Sequence, residues 1–343
     1  MQNISLLDAK NMLGSIAMFG EQINHSWQDM KKIKLPRNYE KVNKIVLCGM
    51  GGSLLGMDVV KNLFFDQIKV PIEIVNRYDT PAYIDSKTLV ILSSYSGSTE
   101  EVVSASQKIL KKTKNIFIVT TGSTLATLAQ QKKIPAYIID PVYNPCQQPR
   151  IAVGYTITAV LALLKKIKVI KISDQQIQET ILYLKKNQTK LEIMAFKQAI
   201  FLKKYIPVLV ASEFLLGNAH VATNQINENG KNMAMYFAIP ELNHHLMEGL
   251  ANPKQNKNNL YFVLINSHLY YVRNRTRYEV TKKVLTQNKI KFLEFKPMAG
   301  NKLLQSFEVL QWGGYLSFYL AINNNIDPSP IPYVDYFKHE LKK

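Results

Sequence analysis

The feature that most constrains this fold is a regular alternation of short apolar runs with longer helical stretches. In the first half of the chain, runs rich in β-branched residues lie at 45–49, 72–76, 89–94 and 116–120. Helical stretches follow at 53–65, 99–112 and 123–131, and they begin at favourable N-cap residues, Ser53, Thr99 and Ser123. Parallel strands joined by helices produce this alternation. Because the runs are nearly continuously apolar, we expect helices on both faces of the sheet.

The second half of the chain repeats this rhythm. Apolar runs lie at 206–212, 235–240, 261–266 and 290–295, and helical stretches at 218–231, 271–287 and 302–323. Between the halves, 151–167 is typical of a long buried helix, and a lysine- and glutamine-rich helical stretch follows it. A chain of 343 residues is long for a single core. We predict an α/β protein of two doubly wound, flavodoxin-like domains with mainly parallel sheets and flanking helices, residues 1–170 and 171–343.

The charge and cysteine content of the chain bear on which partners it can bind and in which cell compartment it works. The formal net charge of +18 raises nucleic acid, anionic membranes and anionic metabolites as partners. Most of the excess lysine is scattered in pairs, which is typical of solvated helix faces, and no nucleic-acid-binding motif occurs. The apolar stretch 155–164 is too short to span a bilayer. We therefore expect no nucleic acid and no membrane. Two cysteines and no secretory signal favour the cytoplasm.

A glycine-rich loop follows the first predicted strand. Its sequence, GMGGSLLG (49–56), places free amides and the Ser53 hydroxyl at a helix N-terminus, where an anion is favoured. A dinucleotide fingerprint would need a third glycine at the position of Leu54 and an acidic residue in place of Asn76 or Arg77. The sequence therefore disfavours NAD, while Arg77 leaves NADP as a weaker alternative.

A second anion-ready loop follows the third predicted strand. The segment SSYSGSTEE (93–101) concentrates hydroxyl groups in one turn, on Ser94, Ser96, Ser98 and Thr99. One interpretation is an ordinary capping box of Ser98 or Thr99 with Glu100 or Glu101. However, both loops follow the carboxyl ends of strands, where ligands of open α/β sheets bind. Together they indicate a site for a phosphate monoester.

These two loops resemble the sugar isomerase (SIS) domain. Four further segments resemble the bifunctional phosphoglucose/phosphomannose isomerase family over nearly the full length: PRIAVGY (149–155), NENGK (227–231), PELNHH (240–245) and IDPSPIPYVDYFK (326–338). The resemblance implies two SIS domains that interconvert glucose 6-phosphate, and mannose 6-phosphate, with fructose 6-phosphate through ring opening and a cis-enediol. It implies no cofactor and no metal.

The resemblance also assigns roles to individual residues. The substrate phosphate would bind the hydroxyls of Ser53, Ser94, Ser96 and Thr99, with Gly51 and Gly52 allowing close backbone approach. The catalytic groups would be Glu228 as the base between C1 and C2, Arg150 near the reacting carbons, His244 for ring opening and Lys338 at the ring oxygen or substrate hydroxyls. The histidine would come from the neighbouring subunit, so the active form would be a homodimer with shared sites.

The chemistry of aldose–ketose interconversion agrees with these residue types. Removing a proton beside a carbonyl requires a carboxylate, and the developing enediolate requires a cation. Ring opening requires a proton shuttle with a pKa near neutrality, which suits imidazole. His244 and His245 stand together, and either could act. A zinc site built from them with Glu241 and Glu248 is disfavoured, because the spacing is not H-E-x-x-H.

Two departures and two alternatives remain. The family commonly has an Asn-Glu pair at His245 and Leu246, and often a threonine at Ser329, in a region associated with the second epimer. These departures concern the dual specificity, and the predicted isomerisation does not depend on them. The alternatives are a non-catalytic SIS sensor, which would have no use for Glu228, and an amino-sugar phosphate isomerase.

Overall fold

Two parallel β-sheets surrounded by helices make up the computed structural model, which describes residues 4–341. The first sheet has the order β2-β1-β3-β4-β5 with every pair parallel. Its strands are β1 (Lys44–Gly49), β2 (Ile72–Val75), β3 (Thr88–Ser93), β4 (Ile116–Thr120) and β5 (Ala136–Ile138). The helices of this half are α1 (Ile4–Leu7), α2 (Met12–Ala17), α3 (Phe19–Lys32), α4 (Gly52–Leu63), α5 (Glu100–Ile109), α6 (Ser123–Lys132) and α7 (Val153–Lys166).

The second sheet has the order β7-β6-β8-β9 and is also parallel throughout. Its strands are β6 (Ile206–Ser212), β7 (Met235–Ile239), β8 (Leu260–Ile265) and β9 (Lys291–Phe295). The helices are α8 (Asp174–Leu202), α9 (Leu216–Glu228), α10 (Leu246–Gly249), α11 (Asn256–Asn259), α12 (Val272–Gln287), α13 (Lys302–Asn323) and α14 (Pro332–Glu340). The α/β prediction with two mainly parallel sheets is confirmed.

The strands of the first sheet are buried on both faces, as their apolar character predicts. All six residues of β3 are buried. Leu89 and Ile91 belong to the main core, whereas Val90 and Leu92 belong to a smaller cluster on the opposite face of the sheet. Side chains alternate across a strand, so an uninterrupted apolar run supplies both layers.

The main core continues from the first sheet into the second, and α8 packs against both α3 and α13. A domain boundary near 170 therefore stays a prediction. Within residues 4–341, no helix combines the length and apolar character needed to cross a membrane.

Helices α4 and α9 pack closely and run in opposite directions. A Cβ added to Gly217 near the start of α9 would lie 2.6 Å from the carbonyl oxygen of Asp58 in α4. At the other end of the pair, the Gln225 side-chain amide donates to the Arg150 carbonyl at 2.9 Å, and a Cβ added to Gly52 would lie 3.1 Å from the Arg150 nitrogen. The start of α4 and the end of α9 therefore meet at Arg150.

The predicted helix caps are wrong in detail. The N-cap residues of α4 and α6 are Gly51 and Gly122, which have no side chain to cap a helix. Ser53 and Ser123 lie inside the helices and are not the N-caps. Thr99 does occupy the N-cap position of α5, but its hydroxyl caps no backbone amide. The capping-box interpretation of 98–101 is therefore not supported, and the hydroxyls of Ser53 and Thr99 make other contacts.

Candidate active site

The hydroxyl of Ser53 joins the two predicted phosphate loops. Strands β1 and β3 pair with Gly49 opposite Ser93, so the loops that follow them lie side by side. The Tyr95 amide donates to the Ser53 hydroxyl at 2.9 Å, and the Ser93 hydroxyl donates to the Ser53 carbonyl at 2.7 Å. Both loops are consequently held at the carboxyl edge of the sheet.

Hydroxyl groups converge in the second loop. The Ser94 and Thr99 hydroxyls lie 2.7 Å apart, and the Gly97 amide donates to the Ser94 hydroxyl at 3.0 Å. Gly97 has φ +72, and a Cβ there would lie 1.9 Å from the Gly122 carbonyl oxygen, so the turn requires glycine. Ser96 is exposed beside this pair, with its hydroxyl 3.5 Å from that of Ser94. The result is a cluster of donors at the start of α5, suited to an anion.

The two glycines of the first loop differ in their surroundings. Gly51 has φ +48, and a Cβ built on it would meet no atom within 4 Å, so there is space beside this backbone. Gly52 instead packs against the backbone of Pro149 and Arg150, 3.1 Å from its built Cβ. Only Gly51 therefore fits the predicted reason for a glycine, which is room for a ligand.

The guanidinium of Arg150 is buried and hydrogen-bonded to the protein on several sides. Its side chain is 2% exposed, and burial lowers its pKa while the Glu228 carboxylate acts in the opposite direction. Its donors reach the side chains of Asn229 and Gln148 (2.7 Å) and the carbonyls of Pro328 (3.0 Å) and Ser329 (2.8 Å). The family resemblance placed Arg150 near the reacting carbons of the substrate. In the structure, most N–H groups of its guanidinium donate to acceptors of the protein itself.

Glu228 is the last residue of α9 and lies beside this guanidinium. Its Oε2 is 3.4 Å from Arg150 Nε, and its side chain is 38% exposed. The carboxylate is thus held by a cation on one side and open on the other. Because Arg150 also contacts Gly52, the structure connects the first predicted phosphate loop, the arginine and the glutamate in one continuous set of contacts.

The other two predicted catalytic residues lie at the surface. His244 is exposed in the turn Glu241–His244, and neighbouring His245 pairs through Nε2 with Glu241 at 2.8 Å. Lys338 is exposed on α14. Among residues 4–341, no hydrogen bond or ion pair joins His244 or Lys338 to Glu228 or Arg150, so a single chain does not bring all the predicted catalytic groups into contact.

Lys231 and Asn229 were missed by sequence reasoning. Asn229 accepts a hydrogen bond from Arg150 and donates to the Ser317 hydroxyl at 3.0 Å. Lys231 donates to the carbonyls of Glu228 and Pro328, and burial lowers its pKa to about 8. The sequence offered a signal, since both residues stand in the NENGK segment with Glu228. Across the part of the chain described, no group of three or more His, Cys, Asp or Glu side chains is arranged to hold a metal ion.

Comparisons with known proteins agree with this architecture. Residues 38–166 match the SIS domain family, and residues 192–341 match the family described as the bacterial phospho-glucose isomerase C-terminal SIS domain. A bifunctional phosphoglucose/phosphomannose isomerase from Caldicellulosiruptor bescii is 32% identical over 342 residues, covering 96% of this chain and 98% of the relative. This chain belongs to the bifunctional phosphoglucose/phosphomannose isomerase family.

Further members and structures resemble the chain over most of its length. The phosphoglucose/phosphomannose isomerase of Aquifex aeolicus is 27% identical, covering 92% of this chain and 94% of the relative. The crystal structure of a hypothetical protein from Thermus thermophilus aligns with a TM-score of 0.76 at 17% identity, covering 96% of this chain and 89% of that one. At that identity the structural likeness concerns the fold alone.

Replacing Arg150 with lysine tests the role of the buried guanidinium in this family member. A single ammonium group cannot reach Asn229, Gln148 and the two carbonyls together, so Arg150→Lys should lower the free energy of unfolding by roughly 3 kcal/mol. Urea denaturation measures this change. Arg275→Lys, at an exposed position on α12, is the matched control and should change stability by less than about 0.5 kcal/mol. Equal stabilities of the two variants would contradict the role given to Arg150.

Proposed function

We propose that this chain is an aldose–ketose isomerase that interconverts glucose 6-phosphate and mannose 6-phosphate with fructose 6-phosphate. The observation that carries the proposal is the half-exposed Glu228 carboxylate, held by buried Arg150, which also packs against Gly52 of the glycine-rich loop. A base next to an anion site is the minimum that proton transfer on a sugar phosphate requires. The names of the relatives from Caldicellulosiruptor bescii and Aquifex aeolicus support the same substrates.

The phosphate would bind between the two loops. Hydroxyls of Ser53, Ser94, Ser96 and Thr99 would donate to its oxygens together with amides at the start of α4 and α5, whose helix dipoles favour an anion. Space beside Gly51 lets the phosphate approach the backbone. This arrangement would fix one end of the sugar chain, so that the other end extends towards the end of α9.

Glu228 would then move one proton between C1 and C2. With the ring open, its carboxylate removes the proton from the carbon next to the carbonyl, and the electrons pass to the carbonyl oxygen to form a cis-enediolate. A second proton moves from the neighbouring hydroxyl to that oxygen, by way of the enediol. Returning the proton to the other carbon completes the exchange. Lys231 and Arg150 place positive charge beside this carboxylate, and positive charge near an enediolate favours its formation.

Both epimers can pass through the same intermediate. The enediol has no stereochemistry at C2, so rotation about C2–C3 before the proton returns gives either the glucose or the mannose configuration. Ser329 bears on this step, because its carbonyl accepts from Arg150 while its buried hydroxyl has no hydrogen-bond partner among residues 4–341. We propose that this hydroxyl helps to accommodate the second epimer.

Ring opening would use groups from two subunits. His244 and Lys338 are exposed, and among residues 4–341 no hydrogen bond or ion pair joins either to Glu228, which supports a second copy as the source of the imidazole. We therefore propose a homodimer with shared sites, in which His244, or His245 beside it, shuttles the proton between the ring oxygen and the anomeric hydroxyl, and Lys338 assists.

The proposed base is tested by Glu228→Gln, which preserves shape and removes the proton acceptor. With chelator present, the wild-type protein should convert glucose 6-phosphate and mannose 6-phosphate to fructose 6-phosphate, and the variant should lose about 100-fold or more in kcat. Glu179→Gln, at an exposed site on α8, is the control and should keep its rate. Unchanged rates for Glu228→Gln would refute the assignment. A wild-type protein that binds the sugar phosphate without turnover would favour the sensor alternative.

Shared sites can be tested with mixed dimers of two inactive variants. When Glu228→Gln and His244→Gln chains are coexpressed with different tags, each mixed dimer contains one site with both changes and one site with neither. Random pairing should therefore restore about a quarter of the wild-type activity. The same mixture made with His245→Gln identifies which imidazole acts. If both mixtures stay as inactive as the single variants, the histidine does not come from a partner.

A further inference from the structure

We infer that Lys231 is a positioning residue for the proposed base: its ammonium group fixes the end of helix α9 and joins it to the turn that precedes α14. The inference rests on the proposed isomerase function and adds a residue to the same site. Lys231 does not need to touch the substrate. It would act by holding the Glu228 turn and by keeping positive charge beside the carboxylate.

The contacts of Lys231 connect two separate segments. Its Nζ donates to the backbone carbonyl of Glu228 and, at 3.2 Å, to the carbonyl of Pro328. Carbonyls in the last turn of a helix lack partners within the helix, and a cation there interacts favourably with the helix dipole. Arg150 donates to the same Pro328 carbonyl at 3.0 Å. Two cations therefore bind the Pro328 carbonyl, and Lys231 also binds the Glu228 carbonyl, so the end of α9 is joined to the turn before α14.

The backbone of Lys231 has φ +49, a left-handed conformation that glycine adopts more readily. Gly230 stands next to it and does not take a positive φ. Three other lysines have positive φ after helices, namely Lys133, Lys168 and Lys289, and all three are exposed. Lys231 differs because it is half-buried and directs its ammonium onto two carbonyls. A side chain at a backbone position that suits glycine is consistent with a need for that ammonium.

The charges around Lys231 make its effect dependent on pH. Burial and the Arg150 guanidinium lower its pKa to about 8, whereas the carboxylates of Glu228 and Asp327 act in the opposite direction. The carboxylate of Asp335 also acts on this group of charges, because it raises the pKa of Arg150. Below about pH 8 the ammonium is charged and its hydrogen bonds are charge-assisted. As pH rises through that value these bonds weaken and the local positive charge falls, so activity should fall as well.

The experiment compares two substitutions at Lys231 with one at Lys289, another lysine with positive φ after a helix. Lys231→Met removes the charge and keeps the stem, Lys231→Arg keeps the charge at every accessible pH, and Lys289→Met is the control. For each variant, kcat and KM for glucose 6-phosphate are measured between about pH 6 and about pH 10, together with the melting temperature.

We expect Lys231→Met to lose roughly tenfold in kcat at neutral pH with KM changed by less than about twofold. Its remaining activity should no longer fall through pH 8. Lys231→Arg should retain most of the activity, and its alkaline limb should move to higher pH. Lys289→Met should match the wild type in rate and in pH profile.

Two outcomes would overturn the inference. One is a Lys231→Met protein with wild-type kcat. The other is a loss of kcat in Lys231→Met or Lys231→Arg while the fall of kcat at alkaline pH stays at the wild-type position. In that case the lysine would have only a structural role. If Lys231→Met does not fold, the position of the alkaline limb in Lys231→Arg decides. Failure of the proposed function is seen separately, as absence of turnover by the wild-type protein.

Discussion

A guanidinium buried in a protein destabilises the fold unless its donors find acceptors, and the site of this protein is organised by that requirement at Arg150. The acceptors come from three places in the chain: the neighbouring Gln148, Asn229 after α9, and the carbonyls of Pro328 and Ser329 before α14. Satisfying one side chain therefore fixes the end of α9 and the C-terminal turn against the loop that carries Gly52.

The antiparallel packing of α4 and α9 places the start of one helix beside the end of the other. Helix α4 directs its N-terminus, and with it a partial positive charge, at the hydroxyl-rich loops, which suits a phosphate. Helix α9 ends at the same place and carries Glu228 at its last position. One end of the helix pair thus brings the predicted anion site and the proposed base together, and the cations Arg150 and Lys231 contact both the end of α9 and the turn before α14. Because of that packing, the phosphate can bind at the start of α4 while Glu228 transfers the proton at the end of α9, as proposed.

Much of the fold could be predicted from the local sequence pattern, because a strand that is buried on both faces of its sheet appears in the sequence as an uninterrupted apolar run. The run at 45–49 became β1, Lys44–Gly49, and the stretch 302–323 became α13 with the same bounds. Caps were predicted less well, since the Ser53 hydroxyl accepts from Tyr95 in the other loop and the Thr99 hydroxyl contacts Ser94, so neither caps its own helix. The contacts of Arg150 with Asn229 and Pro328 join residues far apart in sequence, and no local pattern reports them. The catalytic roles came from the family resemblance and stay predictions.

In the proposed complex, one sugar phosphate lies between the two predicted phosphate loops and Glu228. A crystal structure of the Glu228→Gln variant with bound fructose 6-phosphate would show whether the sugar takes this position. We expect the phosphate on the hydroxyls of Ser94, Ser96 and Thr99, with C1 and C2 within about 3.5 Å of the substituted side chain. A phosphate bound elsewhere, or sugar carbons out of reach of that side chain while the phosphate occupies the loops, would contradict it.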